Sequence, residues 1–236
     1  MDGMSPVYSR VLLKLSGELL GRGDEAFDRT TLLPLIEQVN ALSKMGVRVA
    51  IVLGGGNIYR GRQDQVTREI GDRMGMLATV INGLALRDIF EREGISCCLQ
   101  NAFGAFAGVG PVDSQKAVSA LEKGRVVFFV GGTGIPFFST DTAAAIRAIE
   151  IRANVLLKAT NVDGIYDSDP KNNPAAKRLE RISFSDVVQM GLQVMDAEAF
   201  CLCRSHGMPI AVFPMQQKNA ILDVVCGKSV GSFVCT

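Results

Sequence analysis

The sequence predicts an α/β fold in which helices cover both faces of a mainly parallel sheet. Short apolar runs, several of them rich in β-branched residues, alternate with helical patterns along the whole chain. Strands that are buried on both faces give continuous apolar runs, and strand–helix–strand connections make neighbouring strands parallel. The length of 236 residues suits one domain of this class, 1–236, in which residues 1–8 form a short N-terminal extension.

Six apolar runs predict the main strands of the sheet. Each has the length of a buried strand, and most are bounded by glycine or polar residues that favour turns. They are Val11–Leu15, Val47–Leu53, Ile95–Leu99, Val126–Val130, Val155–Leu157 and Ile210–Phe213.

Four helical patterns lie between these strands. Two end at a glycine, which is a common C-terminal cap, and two begin at a polar side chain that can cap the first turn. They are a pattern from Leu32 to Leu42 that ends at Gly46, Ser114–Lys123 before Gly124, a helix from Thr140 and Asp141 through Ile151, and a helix from Asp196 through Ser205.

Charge and hydropathy exclude several classes of function. Lys and Arg total 25 against 24 Asp and Glu, so a net charge of +1 gives no chain-wide attraction for nucleic acid or an anionic membrane. The first ten residues do not resemble a signal peptide, and the longest uncharged apolar-rich stretch, Met74–Leu86, is shorter than the roughly 18 residues that span a bilayer. We therefore expect a cytoplasmic protein without nucleic-acid or membrane partners.

The six cysteines predict reduced thiols and no metal site. Cys201-x-Cys203-x-x-His206 includes the single histidine of the chain and has the residue types of a zinc site. However, residues two apart on a helix point about 200° apart. We expect core thiols and a histidine that caps a helix.

Glycine clusters follow three of the predicted strands. The loops Lys14–Gly17, Gly54–Asn57 and Gly131–Gly134 come at the carboxyl ends of these strands, where ligands bind in such sheets. Glycine lets backbone N–H groups approach an anion closely. One such loop alone would more often be a tight turn, but three together predict a site for several phosphates.

The common nucleotide-binding fingerprints are absent from the sequence. Gly54-x-Gly56 lacks the third glycine of a dinucleotide fold at position 59, and Gly227-Lys228-Ser229 lacks the leading glycine of a P-loop at position 222. The single histidine also makes histidine-based acid–base chemistry improbable. Phosphoryl transfer fits better, because it needs cations that hold and neutralise phosphates more than covalent help from the protein.

Three charged residues are the candidate catalytic residues. Lys14 lies at a strand end beside Ser16 and Gly17, and Arg60 follows Gly56 by four residues. Asp141 lies at a predicted helix start, where a carboxylate is stabilised and can orient a cation. Lys14 could instead be a surface lysine of an edge strand.

Six segments of the sequence also carry a resemblance to a known family. They are VLLKLSGELL, VLGGGNIYRG, GDRMGMLATVINGLALRD, GTGIPFFSTDTAAAIRAIEI, LLKATNVDGIYDSDP and VMDAEAFCLCR, in collinear order from about Val7 to the C-terminus. Together they resemble the bacterial UMP kinases, a branch of the amino acid kinase family. The third and fourth segments distinguish this branch from relatives that phosphorylate a carboxylate or a carbamate.

The resemblance implies a fold and an activity. The activity is transfer of the ATP γ-phosphate to UMP, giving UDP for pyrimidine nucleotide biosynthesis, with Mg²⁺ held mainly by the nucleotide phosphates. The fold is a three-layer αβα sandwich with an eight-stranded, mostly parallel sheet. The assembly implied is a homohexamer, a trimer of dimers.

The resemblance also implies residues for each substrate. ATP is expected at Lys14, Leu15, Ser16, Gly17, Gly56, Arg60, Thr160, Tyr166 and Asp169. UMP is expected at Gly55, Asp72, Thr133, Gly134, Ile135, Pro136, Phe137, Phe138, Ser139 and Thr140. Asp141 would orient Lys14, and Lys158 ranks below Lys14 as a catalytic candidate.

Two of these assignments have structural alternatives. Asp72 can accept hydrogen bonds from both ribose hydroxyls, or it can be the N-cap of a helix over Arg73–Glu91. Phe137 and Phe138 can flank the uracil, or they can belong to the core.

Two segments depart from the family pattern. Residues 21–28 lack the Gly-Phe-Gly-Ile-Asp ending of relatives that respond to GTP and carry Asp24, Glu25 and Asp28, whose carboxylates repel a triphosphate. We therefore expect GTP to activate weakly or not at all. Residues 101–112 contain the small-residue run AFGAFAGVG, which we expect to alter the flexibility of a lid over the acceptor.

Two other functions remain open at this stage. Another amino acid kinase would share KLSGE and GGGN but would phosphorylate a carboxylate or a carbamate. A non-catalytic anion-storage protein of the same fold would bind nucleotide without turnover, although the joint presence of Lys14, Arg60 and Asp141 argues against it.

Overall fold

The computed structural model of the chain describes residues 5–21, 25–59, 66–106, 108–170 and 172–236. Its strands are β1 (Arg10–Leu15), β2 (Arg48–Leu53), β3 (Cys97–Asn101), β4 (Gly110–Pro111), β5 (Val126–Val130), β6 (Val155–Thr160), β7 (Ile165–Tyr166), β8 (Arg178–Leu179), β9 (Arg181–Ser183), β10 (Ile210–Pro214) and β11 (Ser232–Cys235). Its helices are α1 (Arg29–Lys44), α2 (Arg68–Arg92), α3 (Ser114–Glu122), α4 (Thr140–Glu150), α5 (Phe184–Gln189), α6 (Ala197–Ser205) and α7 (Ala220–Val225).

Nine of the strands form one sheet in the order β4-β3-β5-β2-β1-β6-β10-β11-β9, and β7 pairs with β8 separately. Within the large sheet, β10 and β11 are antiparallel and the other neighbouring pairs are parallel. The mainly parallel sheet is therefore confirmed. It has nine strands where the resemblance implied eight, and β4 contributes only two residues at one edge.

The six predicted strands are confirmed as β1, β2, β3, β5, β6 and β10. The largest difference is in β6, which continues three residues past Leu157 to Thr160. Lys158 interrupts the apolar run there, but the backbone of β6 stays paired with β10 as far as Thr160 and Pro214. The polar side chain of Lys158 therefore ends the apolar sequence pattern, although the strand itself continues.

The four predicted helices are confirmed as α1, α3, α4 and α6. The prediction that Thr140 and Asp141 cap α4 was wrong. The N-cap is Ser139, whose side chain accepts hydrogen bonds from the backbone N–H groups of Asp141 and Thr142. Because Ser139 takes the capping role, the carboxylate of Asp141 is available for other partners. Asp196 does cap α6, where its side chain accepts from the Ala199 N–H.

The capping alternative for Asp72 is also wrong. Helix α2 begins at Arg68 and its N-cap is Thr67, so Asp72 lies inside the helix.

Alternation along each strand divides the core between the two faces of the sheet. In β1, Val11, Leu13 and Leu15 pack in one cluster with residues of α1, α2 and α7, while Leu12 packs in the other with residues of α3, α4, α5 and α6. This is the three-layer αβα arrangement, and it places Lys14 on the same face as Leu12. In the part of the chain that the structure describes, no helix is both long and apolar enough to cross a bilayer.

The cysteines are all free, in line with the prediction of reduced thiols. Cys97 and Cys203 are buried, and burial raises the pKa of each thiol to about 12. The expectation of core thiols is wrong for Cys201, which is exposed on α6. His206 is the C-cap residue of α6, as predicted, and its ring lies 3.1 Å from the Leu202 carbonyl oxygen.

We predict that Gly83→Ala in α2 lowers the free energy of unfolding by about 1–2 kcal/mol, because overpacking outweighs the better helix propensity of alanine. A Cβ atom at Gly83 would lie 2.4 Å from Cγ1 of Val130 and 2.9 Å from Cδ1 of Leu99. Urea denaturation measures the change. Gly75→Ala is the matched control on the same helix, because a Cβ there meets nothing within 4 Å; a Gly83 variant as stable as the Gly75 variant would contradict the prediction.

Candidate active site

Two lysines lie side by side at the centre of the sheet. The parallel register of β1 and β6 pairs Lys14 with Lys158. Both side chains project from the face that α4 and α6 cover, because their even-numbered strand neighbours Leu12 and Leu156 pack there. Lys14 is therefore in a central strand, and the edge-strand alternative for it is wrong.

Asp141 joins these two lysines at the start of α4. Its Oδ1 lies 2.8 Å from Nζ of Lys14, and its Oδ2 lies 2.6 Å from Nζ of Lys158. The three side chains are only 12–16% exposed. The expectation that Asp141 orients Lys14 matches this geometry, and Lys158 has an equivalent place. We call Lys14, Asp141 and Lys158 the charge cluster.

The electrostatics of the charge cluster favour an anionic ligand. Burial of the Asp141 carboxyl acts to raise its pKa, but the ammonium groups of Lys14 and Lys158 act more strongly together and hold its pKa below the ordinary value. Asp141 is therefore a carboxylate at neutral pH. Two ammonium groups around one carboxylate leave a local charge of +1, which suits a phosphate.

A second carboxylate holds the surroundings of the charge cluster in place. Asp196 accepts hydrogen bonds from the hydroxyls of Ser139 and Thr142 at the start of α4. Lys158 donates a hydrogen bond of 2.9 Å to the carbonyl oxygen of Val194. The segment before α6 is thus joined to both the helix that carries Asp141 and the lysine that Asp141 binds.

The glycine loops that follow β1 and β2 meet beside Lys14. The Gly54 N–H donates to the Leu15 carbonyl oxygen at 2.8 Å. A Cβ atom at Gly17 would lie 2.6 Å from the Gly56 nitrogen, so only glycine fits there. The structure therefore brings together the predicted phosphate-binding residues Ser16, Gly17 and Gly56. Leu15 differs, because its side chain is buried in the core and only its backbone faces this loop.

Four of the ten predicted UMP residues line a small cavity between α2 and the loop that follows β5. Its volume is about 140 Å³. It is lined by Gly55, Tyr59, Gly71, Asp72, Gly75, Met76, Thr79, Gly132, Phe138 and Thr140. Of the predicted UMP residues, Gly55, Asp72, Phe138 and Thr140 line this acceptor cavity. Thr133, Gly134, Ile135, Pro136, Phe137 and Ser139 lie on the same loop but do not line it.

Asp72 links α2 to that loop. Its Oδ2 accepts a hydrogen bond of 2.8 Å from the Phe137 N–H and lies 3.7 Å from Nε of Arg68. Phe137 has a φ of 74°, which is unusual for a residue with a Cβ, and its ring lies 5.6 Å from the Arg68 guanidinium carbon. Phe137 and Phe138 are 59% and 44% exposed, so the core alternative for them is wrong.

A larger cavity borders the charge cluster. Its volume is about 720 Å³, and Asp141 and Lys158 line it together with residues of segment 187–201. The acceptor cavity is lined by Thr140 and the larger cavity by Asp141, which are consecutive residues at the start of α4.

The predicted adenosine residues do not line this larger cavity. Thr160 ends β6, and its hydroxyl bonds to the backbone of Val162. Tyr166 donates to the Asp163 carboxylate, and Asp169 accepts from the Asn172 side chain. The side chains of these three residues therefore make local hydrogen bonds in this conformation.

Some predictions lie outside the described residues. Arg60 is one of them, and residues 22–24 of the segment that bears on the GTP response are others. For metal ions, the described residues contain no group of three or more His, Cys, Asp or Glu side chains that could hold one.

Sequence reasoning missed several residues that hold the site. Thr79, Asn82 and Asp196 bond to the loops around the charge cluster, and nothing in a single sequence shows which loop a helical polar residue meets. From the sequence, Lys158 ranked below Lys14. The sequence does contain a signal for it, because Lys158 interrupts the apolar run VLLKAT just as Lys14 interrupts VLLKL.

Comparisons with known proteins find relatives over nearly the whole chain. Residues 9–214 match the amino acid kinase family. A uridylate kinase of Legionella pneumophila (strain Paris) is 48% identical over 231 residues, which cover 96% of this chain and 94% of that protein. The structure of UMP kinase from Bacillus anthracis aligns with a TM-score of 0.93 at 34% identity, covering 97% of this chain and 96% of that one. UMP kinase from Ureaplasma parvum aligns with a TM-score of 0.91 at 38% identity, covering 97% and 99%.

We predict that Asp141→Asn lowers the free energy of unfolding near neutral pH, because it leaves two buried ammonium groups without their carboxylate. The pKa of Asp141 is lowered on folding from 3.8, so its contribution is present above pH 3.8 and is lost as the pH falls through the lower folded value. Urea denaturation from pH 7 downward should therefore show a difference from the wild type that shrinks in acid.

The control for this prediction is Asp88→Asn. Asp88 pairs with Arg92 on the surface of α2, where its side chain is 58% exposed, and such pairs contribute little. A difference between wild type and Asp141→Asn that does not change with pH, or one no larger than that of the control, would contradict the assignment.

Proposed function

This chain belongs to the amino acid kinase family, and on that premise we propose that it transfers the γ-phosphate of ATP to UMP, giving ADP and UDP. The observation that carries the proposal is the charge cluster itself, which lies beside the glycine loops that follow β1 and β2. Phosphoryl transfer requires a donor and an acceptor that meet in line at a cationic centre. The names of the relatives, uridylate kinase and UMP kinase, supply the acceptor.

The charge cluster would stabilise the transfer without a catalytic base. An oxygen of the UMP phosphate attacks the γ-phosphorus of ATP, and the bond from that phosphorus to the β–γ bridging oxygen breaks, so that ADP leaves with the electron pair. The attacking phosphate is already ionised at neutral pH, since its second pKa is about 6. Lys14 and Lys158 neutralise the charge that spreads over the transferred group, and Asp141 keeps both ammonium groups in position.

The surroundings of the charge cluster suggest how the substrates are divided. None of the described residues proposed for ATP lines the larger cavity, so we place the donor phosphates beside Lys14, at the glycine loops that follow β1 and β2. The acceptor cavity of about 140 Å³ holds only part of UMP, and the exposed Phe137–Phe138 loop would cover the rest. Asp72 would bind the ribose hydroxyls. Ser16, Gly17, Gly56 and Arg60 remain the proposed partners of the ATP phosphates.

Magnesium would enter with the nucleotide. Both oxygens of Asp141 contact an ammonium group, and the described residues offer no cluster of acidic ligands for a metal. The residues at the site thus do not fit a protein-held ion. We propose that the ATP phosphates carry the Mg²⁺, which would neutralise part of their charge.

The proposed assembly is a homohexamer formed as a trimer of dimers. One face of α2 is apolar but exposed: Ile70, Met74, Leu77 and Ile81 are 39–55% exposed and recur at helical spacing. A second copy of the chain would cover this stripe.

Each subunit would be one domain spanning 1–236. Its six free cysteines suit the reducing cytoplasm, where we place the reaction.

The assay that tests the proposal follows ADP release from ATP with a panel of acceptors. The panel contains UMP, CMP, AMP, carbamate and small carboxylic acids. Turnover with UMP far above the others supports the proposal. Turnover with a carboxylate or carbamate identifies a different amino acid kinase, and ATP binding without any turnover identifies a storage protein.

We predict that Lys14→Ala lowers kcat by roughly 10²–10⁴-fold, because a point charge is lost where transition-state charge develops. The melting temperature should change little, since Asp141 keeps Lys158 as its partner. Lys116→Ala is the control: Lys116 is 76% exposed on α3, and its loss should leave kcat unchanged. Near-normal turnover of the Lys14 variant would remove Lys14 from the mechanism.

We predict that Asp72→Asn raises the KM for UMP by about tenfold or more, because a charge-assisted hydrogen bond to the ribose is lost. The KM for ATP should change little, and helix content should not change because α2 begins before Asp72. Steady-state kinetics with each substrate varied in turn and circular dichroism make the test. Equal losses for both nucleotides would argue against a ribose ligand.

A further inference from the structure

Two buried polar residues lie three positions apart on α2. Thr79 is 1% exposed and Asn82 is fully buried, so both sit on the face of the helix that packs on the protein. Buried polar groups are costly unless they are hydrogen-bonded. The partners of these two side chains therefore indicate why polar residues occupy this face.

Thr79 bonds to the loop that carries the acceptor residues. Its hydroxyl oxygen accepts a hydrogen bond of 2.7 Å from the Gly131 N–H and donates one of 2.7 Å to the Met76 carbonyl oxygen. Gly131 is the first residue after β5 and begins the loop that leads to Ser139 and α4. Thr79 thus ties the start of the acceptor loop to α2, which also carries Asp72.

Asn82 bonds to the loop that lies beside the donor phosphates. Its amide nitrogen donates to the Gly54 carbonyl oxygen at 2.7 Å and to Oδ1 of Asn57 at 2.8 Å, and its Oδ1 accepts from Nδ2 of Asn57 at 3.0 Å. Gly54 is the first residue after β2. Asn82 thus fixes the loop that contains Gly56.

We propose that Thr79 and Asn82 are positioning residues that set the distance between the acceptor loop and the donor loop. This inference rests on the proposed UMP kinase function. One helix holds both loops through two adjacent positions of one face, so the loops cannot move apart without breaking a buried hydrogen bond. Phosphoryl transfer requires this control, because misplacing a reacting group by about 1 Å can cost about 10²-fold in rate.

The two residues act on different loops. Thr79 bonds to the backbone that leads to the UMP residues. Asn82 bonds to the loop after β2, which carries Gly55 of the acceptor cavity as well as Gly56. Removal of the Thr79 hydroxyl leaves the buried Gly131 N–H without its acceptor, and the loop relaxes toward solvent. A residue with only a structural role would change stability without separating the two Michaelis constants.

The experiment compares two matched variants at Thr79 with one variant at Asn82. Thr79→Val keeps the shape and removes the hydroxyl, whereas Thr79→Ser keeps the hydroxyl. We expect Thr79→Val to raise the KM for UMP by about fivefold or more with the KM for ATP within about twofold, and Thr79→Ser to restore the wild-type value. Asn82→Leu should raise both Michaelis constants, because the loop that Asn82 holds carries both Gly55 and Gly56.

Separate controls distinguish a folding defect of a variant from a failure of the proposed function. If Thr79→Val does not melt like the wild type, Thr79→Ala is compared with Thr79→Ser, because both lack the methyl group and differ in the hydroxyl. Three outcomes overturn the inference: equal changes in both Michaelis constants for Thr79→Val, a Ser variant no better than the Val or Ala variant, or an unchanged KM for ATP in Asn82→Leu. A wild-type enzyme that does not phosphorylate UMP overturns the proposed function instead.

Discussion

The arrangement of the site depends on one electrostatic constraint, which is that two lysines are neighbours in adjacent central strands. The register that pairs Lys14 with Lys158 would bring two ammonium groups together in a partly buried place, and a carboxylate must lie between them. Asp141 supplies it only because α4 begins over these strands. Ser139 caps that helix, so the Asp141 carboxylate is left for the lysines, and Asp196 holds Ser139 in turn.

A second constraint is the close packing of the glycine loops on each other and on α2. A Cβ atom at Gly55 would lie 2.5 Å from the Gly75 carbonyl oxygen, and one at Gly17 would lie 2.6 Å from the Gly56 nitrogen. The loops after β1 and β2 and the helix α2 therefore form one tightly packed unit. Polar residues on the buried face of α2 are compatible with this packing because they bond to the loop backbones that glycine brings close.

Much of this could be predicted from the sequence, for local reasons. The strands that are buried on both faces appear as apolar runs, and Lys14 is conspicuous because it interrupts one of them. Lys158 interrupts another run in the same way, but its equal role depends on the β1–β6 register, which a single sequence does not reveal. The cap of α4 was missed because Ser139, Thr140 and Asp141 are all good capping residues and only tertiary contacts choose among them. The partners of Thr79 and Asn82 are likewise non-local.

The charge of the site suits the proposed function, in which a nearly neutral chain would bind several phosphates. The whole chain has a net charge of +1, so no long-range field attracts anions, and the selectivity must come from a few ordered groups. The charge cluster concentrates two cations at one point and holds them with a buried carboxylate whose pKa is lowered, so they do not depend on substrate for their positions. Cations that are already in position need little reorganisation when charge develops on the transferred group. In the proposed mechanism, the carboxylate that by its charge opposes anion binding is therefore what holds the two lysines ready for it.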